Sequence, residues 1–194
     1  MLVPGLSPEK AKLPMEQWLA DLINLIGVDH GPICVLRRVL NMSDADPEQA
    51  RMQLSYDGAR ALLESDDITV AEKEYIEDPN KKLPMAAYDR RGNQYRMNFS
   101  KVARIKGKNG MYRITYSFAE FLRENELREG HTVVMWVFRL TAPPPTLEGV
   151  GNLAMVLLDY KTQDESELNA LYTAEWQALQ GAVAARGLRQ LMVI

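Results

Sequence analysis

Eight cationic side chains lie close together in one stretch of the sequence, residues 90–113. No Asp or Glu interrupts the stretch, although the chain as a whole has a net charge of −3 and a pI of about 5.5. A local concentration of positive charge on an acidic protein is typical of a patch that contacts a phosphate backbone. The same pattern also fits a solvated hairpin face whose charges keep the protein soluble. The eight residues are Arg90, Arg91, Arg96, Lys101, Arg104, Lys106, Lys108 and Arg113.

Residue patterns that support catalysis are not found. The sequence contains no glycine-rich phosphate loop, no Cys/His ligand cluster and no nucleophile elbow. The neighbouring carboxylates Asp66 and Asp67 are not accompanied by a histidine or a further ligand pattern, and His30 and His131 are far apart in the sequence. We therefore predict no enzymatic activity, no catalytic residue, no metal site, no cofactor and no small-molecule substrate.

The composition predicts one globular domain with extensions. The chain has 194 residues, of which 46% are hydrophobic and 25% charged. No apolar run approaches the roughly 18 residues of a membrane span, and the first 13 residues lack the apolar core of a secretory signal. The single cysteine, Cys34, excludes an internal disulfide and fits a reducing compartment, and we expect it in a buried strand.

The order of predicted elements indicates a mainly β protein. The two short inserted helices are residues 56–64 and 117–125, the second with Ser117 as N-cap and Glu120 at the capping-box spacing. The acidic residues 65–78 are interpreted as a solvated connector. The sequence shows no βαβ alternation, so we predict a mostly antiparallel sheet, closed or nearly closed on itself, with helices at its open ends. The seven predicted strands are residues 32–40, 51–55, 82–89, 94–100, 111–116, 132–140 and 152–160.

Two strands of the basic stretch alternate between two faces. In residues 94–100, Tyr95, Met97 and Phe99 share one face, and Arg96 and Asn98 share the other. In residues 111–116, the same alternation places two sets of three residues on opposite faces. The first set is Met111, Arg113 and Thr115, and the second is Tyr112, Ile114 and Tyr116.

The termini are predicted to extend the barrel. Residues 1–13 contain prolines and glycine, and we expect a mobile lead-in. Residues 14–30 have apolar side chains at spacings of three and four, which predicts an amphipathic N-terminal helix. Residues 31–160 form the predicted barrel domain, and residues 161–194 a C-terminal helical extension.

Three segments in order resemble the plant B3 DNA-binding domain of transcription factors. Residues 36–54 are similar to its opening strand, Ser-Asp loop and second strand, and residues 112–139 are similar to its later half. Residues 15–27 resemble the leading helix of a divergent B3 subfamily. The resemblance implies a seven-stranded open pseudobarrel of B3 type. It also implies a nuclear, sequence-specific transcription factor that contacts the major groove of double-stranded DNA with two loop arms.

The resemblance also implies which residues contact DNA. The first arm, residues 41–51, joins the first two strands, and the second arm, residues 100–111, joins the fourth and fifth. Four lysines and arginines of the second arm would hold phosphates, while Arg51, Gln53 or Asn109 would reach base edges. The full predicted set is Arg38, Ser43, Arg51, Gln53, Arg96, Asn98, Lys101, Arg104, Lys106, Lys108 and Asn109.

The sequence departs from the family pattern in ways that leave a second function open. Ser117-Phe118 stands where the family commonly has Gly-Trp, and His131 stands where a turn usually ends in Asp. The first arm carries Asp44, Asp46 and Glu48, which would repel phosphates if they faced the DNA. The alternative is therefore a B3-fold interaction module with weak or lost DNA binding, whose terminal helices form a homo- or hetero-oligomer.

Overall fold

A computed structural model describes residues 34–49, 51–54, 56–65, 68–102, 110–140 and 152–161, and separate positions between 164 and 181. The predicted lead-in and N-terminal helix lie outside these ranges. The described positions of the C-terminal extension from Ser166 to Gly181 are helical and exposed. None of the described helices combines the length and apolar composition that a membrane crossing requires.

The seven predicted strands are confirmed, and they form one sheet. Its order is β1-β6-β7-β3-β4-β5-β2, so that β1 and β2 are the two edge strands. Neighbouring strands are antiparallel except for β3 and β7, which are parallel. The strands are β1 Cys34–Val39, β2 Met52–Leu54, β3 Leu83–Asp89, β4 Gln94–Val102, β5 Met111–Tyr116, β6 Thr132–Arg139 and β7 Leu153–Tyr160.

Alternating apolar residues curve the sheet around one core. Met97 and Phe99 of β4, Ile114 of β5 and Met135 of β6 are at most 1% exposed and belong to the same cluster as residues from β2, β3 and β7. Side chains from strands that far apart in the sheet order meet only if the sheet wraps around them. The predicted seven-stranded, nearly closed barrel is therefore confirmed.

Four helices with described bounds lie between residues 42 and 124. Helix α1 is Met42–Ala45, α2 is Tyr56–Leu63, α3 is Val70–Glu77 and α4 is Phe118–Glu124. Helix α2 buries Leu62 and Leu63, and α4 buries Phe118 and Phe121, in the barrel core. Helices α2 and α4 were predicted from the sequence, whereas α1 and α3 were not.

The interpretation of residues 65–78 as a solvated acidic connector was wrong. Thr69 caps α3, its side chain accepting a hydrogen bond from the Glu72 amide, and the Glu72 carboxylate in turn accepts from the Thr69 amide. Ile76 is fully buried in the core. The Thr-x-x-Glu spacing is the sequence signal that would have predicted this helix, but the density of acidic residues obscured it.

Two carboxylates of α3 also have cationic partners. Glu72 forms a salt bridge with Arg139 of β6, with 2.9 Å between Oε2 and Nη2. Glu77 pairs with Lys101 of β4. These pairs attach α3 to the barrel, so the acidity of this segment is partly used for packing.

The start of α4 agrees only partly with the prediction. Ser117 occupies the N-cap position, but its side chain makes no capping hydrogen bond. Phe118, which stands where the resembled family commonly has Trp, is fully buried. The helix is therefore held by the burial of its aromatic residues and not by the predicted capping box.

Candidate nucleic-acid interface

The outer surface of β2, β5 and β4 carries a continuous polar row. Gln53 of β2 is paired in register with Arg113 of β5, and Arg113 is paired with Ser100 of β4. In the next outward row, Thr115 of β5 is opposite Asn98 of β4. Their neighbours along each strand, such as Ile114 and Phe99, point into the core. Strand alternation therefore turns these polar side chains outward.

An open groove of about 510 Å³ follows this surface, and we call it the outer groove. Four of its lining residues are cationic, and none is Asp or Glu among the residues that the structure describes. On a chain with a net charge of −3 this is a pronounced local inversion. The outer groove is lined by Gln49, Arg51, Pro79, Lys82, Asn98, Ser100, Lys101, Arg113, Thr115 and Tyr116.

Arg51 stands where the first arm enters β2. Its Nη2 donates a hydrogen bond of 2.8 Å to Gln49 Oε1, and both side chains line the outer groove. The Nε of Arg51 is buried and has no hydrogen-bond partner in the described part of the chain.

Asp44 organises the first arm. Its carboxylate accepts hydrogen bonds from Arg38 Nε at 2.8 Å, the Asn41 amide at 3.2 Å and the Gln53 amide at 3.2 Å. Arg38 Nη2 lies 2.7 Å from the same carboxylate in a salt bridge. Arg38 belongs to β1 and Gln53 to β2, the two edge strands of the open barrel. The side chain of Asp44 therefore connects the two sides of the barrel opening.

The other polar groups of the first arm also have local partners. Asp46 accepts hydrogen bonds from the Glu48 amide and from Gln49 Nε2, which folds a short turn. The predicted DNA contact Ser43 donates to Asn41 Oδ1 at 2.8 Å. Asp44 is buried and neutralised by Arg38, so the repulsion from this carboxylate that the sequence suggested is removed. The same pair makes Arg38 a structural residue of the arm.

Lys101 lies at the base of the second arm, where its ammonium is held by Glu77 of α3. Tyr112, the register partner of Lys101 across β4 and β5, donates a hydrogen bond of 2.6 Å to the same carboxylate. The Lys101 stem passes close to Gly110, where an added Cβ would be 3.0 Å from Lys101 Cε. Glu77 therefore fixes the two strand residues between which the second arm leaves the barrel.

The ionisation of this cluster follows from its contacts. Burial alone would raise the pKa of Glu77, but the hydrogen bonds from Lys101 and Tyr112 outweigh burial and lower the pKa below its usual value. Burial and the hydrogen bond to Glu77 raise the pKa of Tyr112. At neutral pH Glu77 is therefore a carboxylate and Tyr112 a neutral phenol.

The five described cations of residues 90–113 do not form one surface, which corrects the sequence-based interpretation. Arg90 lies by β7, where its Nη2 donates to the Asp159 carbonyl at 3.1 Å. Arg91 donates to the Glu124 carbonyl at 2.8 Å, at the end of α4. Both belong to the β3–β4 turn, at the opposite end of β4 from Lys101. A hairpin separates the residues near its turn from those near its open end, so closeness in sequence did not produce one patch.

The structure unites part of the predicted site. Arg51, Gln53 and Asn98 lie on the surface of the outer groove or in register with it, and Arg96 lies two residues from Asn98 on the same side of β4. Arg38, Ser43 and Lys101 are engaged with the arms themselves. Arg104, Lys106, Lys108 and Asn109 lie outside the described residues.

Arg113 is the central groove residue that sequence reasoning did not select. It was counted among the cations, and the alternation of β5 placed it opposite the core-facing residues. Its importance depends on β2 pairing with β5, which sets Arg113 between Gln53 and Ser100. Lys82 and Tyr116 were missed for a similar reason, because neither belongs to an arm. Among the described residues, no group of three or more His, Cys, Asp or Glu is placed to hold a metal ion.

Comparison with known proteins gives a family match and matches to solved structures. Residues 11–159 match a family model described as B3 domain-containing protein At2g31720-like. A solved structure described as an Arabidopsis FUS3–DNA complex is similar at 15% sequence identity and a TM-score of 0.43, covering 66% of this chain and 96% of that one. No curated protein sequence matches the chain significantly.

Proposed function

The chain belongs to the At2g31720-like family of B3 domain-containing proteins, and from this premise we propose that it is a nuclear protein that binds double-stranded DNA sequence-specifically and regulates transcription. The outer groove is the observation that supports this function best. Its described lining contains Arg51, Lys82 and Arg113 and no carboxylate, on the outer surface of β2, β5 and β4. Such a surface attracts a phosphate backbone through counterion release. The proposed function requires no catalysis.

The residues that line the outer groove or lie next to it on the same strands fall into two roles. Arg113, Lys82 and Arg96 are suited to phosphate contacts, which set the register of the protein on the duplex without reading sequence. Arg51, Gln53 and Asn98 carry guanidinium or amide groups, which form paired hydrogen bonds with base edges in the major groove. Arg104, Lys106, Lys108 and Asn109 of the second arm are proposed to add contacts beside this surface.

Arg38, Ser43 and Lys101 are proposed to act indirectly. Arg38 and Ser43 shape the first arm through Asp44 and Asn41, and Lys101 holds the base of the second arm through Glu77. Pre-organised loops lose less conformational entropy when they bind. These residues therefore support affinity by positioning the arms rather than by contacting the duplex.

The salt dependence of binding to duplex DNA tests this proposal. The plot of log K against log salt concentration has a negative slope, and each lost phosphate contact makes this slope shallower by about 0.9. We expect Arg113→Ala to weaken binding to all duplexes and to reduce the slope by about one unit, and Lys106→Ala/Lys108→Ala to reduce it by about two. The matched control is Arg60→Ala, because Arg60 is an exposed arginine on α2 outside the outer groove. Selection from a random duplex pool should also enrich one motif.

The outcomes separate the two functions. A slope that is unchanged in both variants, or changed equally by Arg60→Ala, would contradict the placement of the DNA-binding surface. Failure of the wild-type protein to bind any duplex would leave the interaction module as the interpretation of this barrel. In that case self-association that is lost on removal of residues 168–186 would be the next measurement.

A further inference from the structure

Tyr116 is an exposed aromatic residue with an unusual backbone. It ends β5, its φ is 76°, and 62% of its surface is exposed. Positive φ is rare for a residue with a bulky side chain, because the Cβ approaches the following carbonyl. Glu126 is the other described non-glycine residue with positive φ, but it follows the C-cap of α4, where this conformation is common.

Strand alternation predicts a buried Tyr116, and the structure shows the opposite. Tyr112 and Ile114 precede it at intervals of two and are at most 1% exposed. Helix α4 begins two residues later, and Phe118 and Phe121 fill the adjacent core. The chain must therefore turn between Tyr116 and Phe118. The positive φ occurs at this turn, and the ring ends up outside the core.

The outward ring joins the proposed DNA-binding surface. Tyr116 lines the outer groove beside Thr115, and the guanidinium carbon of Arg96 lies 5.6 Å from the centre of its ring. The amide of Ser117, the residue after Tyr116, donates to the Arg96 carbonyl at 3.3 Å and holds the end of β5 beside β4. Two hydrogen-bond donors, a phenol and a guanidinium, therefore lie next to each other at this end of the outer groove.

We propose that Tyr116 is a DNA-contacting residue, which together with Arg96 binds a backbone phosphate at the α4 end of the outer groove. This inference rests on the proposed function. A large, exposed ring at a strained position does not add to the core, and strained residues are concentrated at functional sites. Tyrosine hydroxyls are among the donors that contact phosphates in protein–DNA complexes. The occupant of this rim is therefore the sugar–phosphate backbone of the duplex.

Two substitutions separate contact from folding. Tyr116→Phe keeps the ring and removes the hydroxyl, and because one hydrogen bond is lost we expect it to raise Kd for duplex DNA about fivefold without changing Tm. Tyr116→Gly removes the ring and relieves the backbone strain, so we expect Kd to rise at least about tenfold while Tm stays equal or increases by up to about 4 °C. The matched control is Tyr56→Phe, because Tyr56 is an exposed tyrosine of α2 that does not line the outer groove.

DNA binding and stability are measured separately for each variant. Anisotropy titrations with a labelled duplex of random sequence give Kd, and thermal unfolding gives Tm. The inference is overturned if Tyr116→Phe binds within twofold of the wild type, or if Tyr56→Phe weakens binding equally. A Tm of Tyr116→Gly that is clearly below the wild-type value would refute the strain argument. Normal wild-type binding that Arg113→Ala weakens and Tyr116 variants do not would remove this inference and leave the proposed function intact.

Discussion

Replacing Asp44 with Asn tests whether the first arm is organised by one buried charge. The carboxylate is fully buried and receives donors from β1, from the arm and from β2. Asn keeps the shape but has one oxygen and no charge. If its oxygen stays towards Arg38, its NH₂ group faces the Gln53 amide, and two donors then meet. If the amide is reversed, the NH₂ group faces the guanidinium of Arg38.

The expected loss of stability follows from these contacts. One buried donor without a partner costs about 1–3 kcal/mol. The Arg38 hydrogen bonds change from charged to neutral acceptors, which costs about 1 kcal/mol more. The side chain of Arg38 is 30% exposed, so water compensates for part of its lost ion pair. We expect Asp44→Asn to lower the free energy of unfolding by about 2–3 kcal/mol and Tm by about 5–10 °C.

Urea and thermal unfolding followed by circular dichroism measure this effect. The control is Asp46→Asn, because the hydrogen bonds of Asp46 are exposed and the Asn oxygen can still accept the one from the Glu48 amide, so the expected loss is below about 0.5 kcal/mol. At a temperature where both variants are folded, Asp44→Asn should also bind duplex DNA more weakly. A stability loss for Asp44→Asn no larger than that of Asp46→Asn would refute the role of this carboxylate in joining the two edge strands.

Two further predictions concern the carboxylates of α3. Burial alone would raise the pKa of Glu72, but hydrogen bonds from Arg139 and Thr69 lower it below 4.5, so its contribution to stability is complete above pH 4.5 and disappears as pH falls through the lowered pKa. Glu72→Gln should therefore be less stable at neutral pH by about 1–2 kcal/mol and should lose less stability in acid. The control Glu74→Gln, at an exposed position, should keep the wild-type dependence of stability on pH. The same pH dependence in the wild type and in both variants would contradict this prediction. Lys101→Ala should lower Tm and leave the salt slope of DNA binding unchanged, because Glu77 neutralises this ammonium; a slope lower by about one unit would identify Lys101 as a phosphate contact.

The positions of the strands could be predicted from the sequence. Alternation of apolar and polar residues in β4 and β5, and the continuous apolar run of β6, reflect burial on one or both faces of a sheet. These are local constraints, because each strand must present apolar side chains wherever it meets the core. The same reasoning failed for α3, where local charge density was given more weight than the capping box at Thr69.

The composition of the site depended on pairings between distant segments. Arg113 lies between Gln53 and Ser100 only because β5 pairs with β2 on one side and with β4 on the other. Lys101 is neutralised by Glu77, 24 positions earlier in the chain. Asp44 is neutralised by Arg38 of one edge strand and accepts a hydrogen bond from the Gln53 amide of the other. Sequence periodicity does not show which cation forms an ion pair with a buried carboxylate. Structural cations could therefore not be distinguished from exposed ones by the sequence.

The sequence by itself determined the fold class, the seven strands and the presence of cationic residues near a hairpin, because each depends on short-range patterns of polarity. Tertiary structure alone decided that Arg90 contacts β7 and Arg91 the end of α4, that Asp44 is buried, and that the ring of Tyr116 is exposed. The physical reason is that the role of a charged or aromatic side chain depends on the group it contacts in the folded protein. That partner is set by strand register and by the volume that neighbouring helices already occupy.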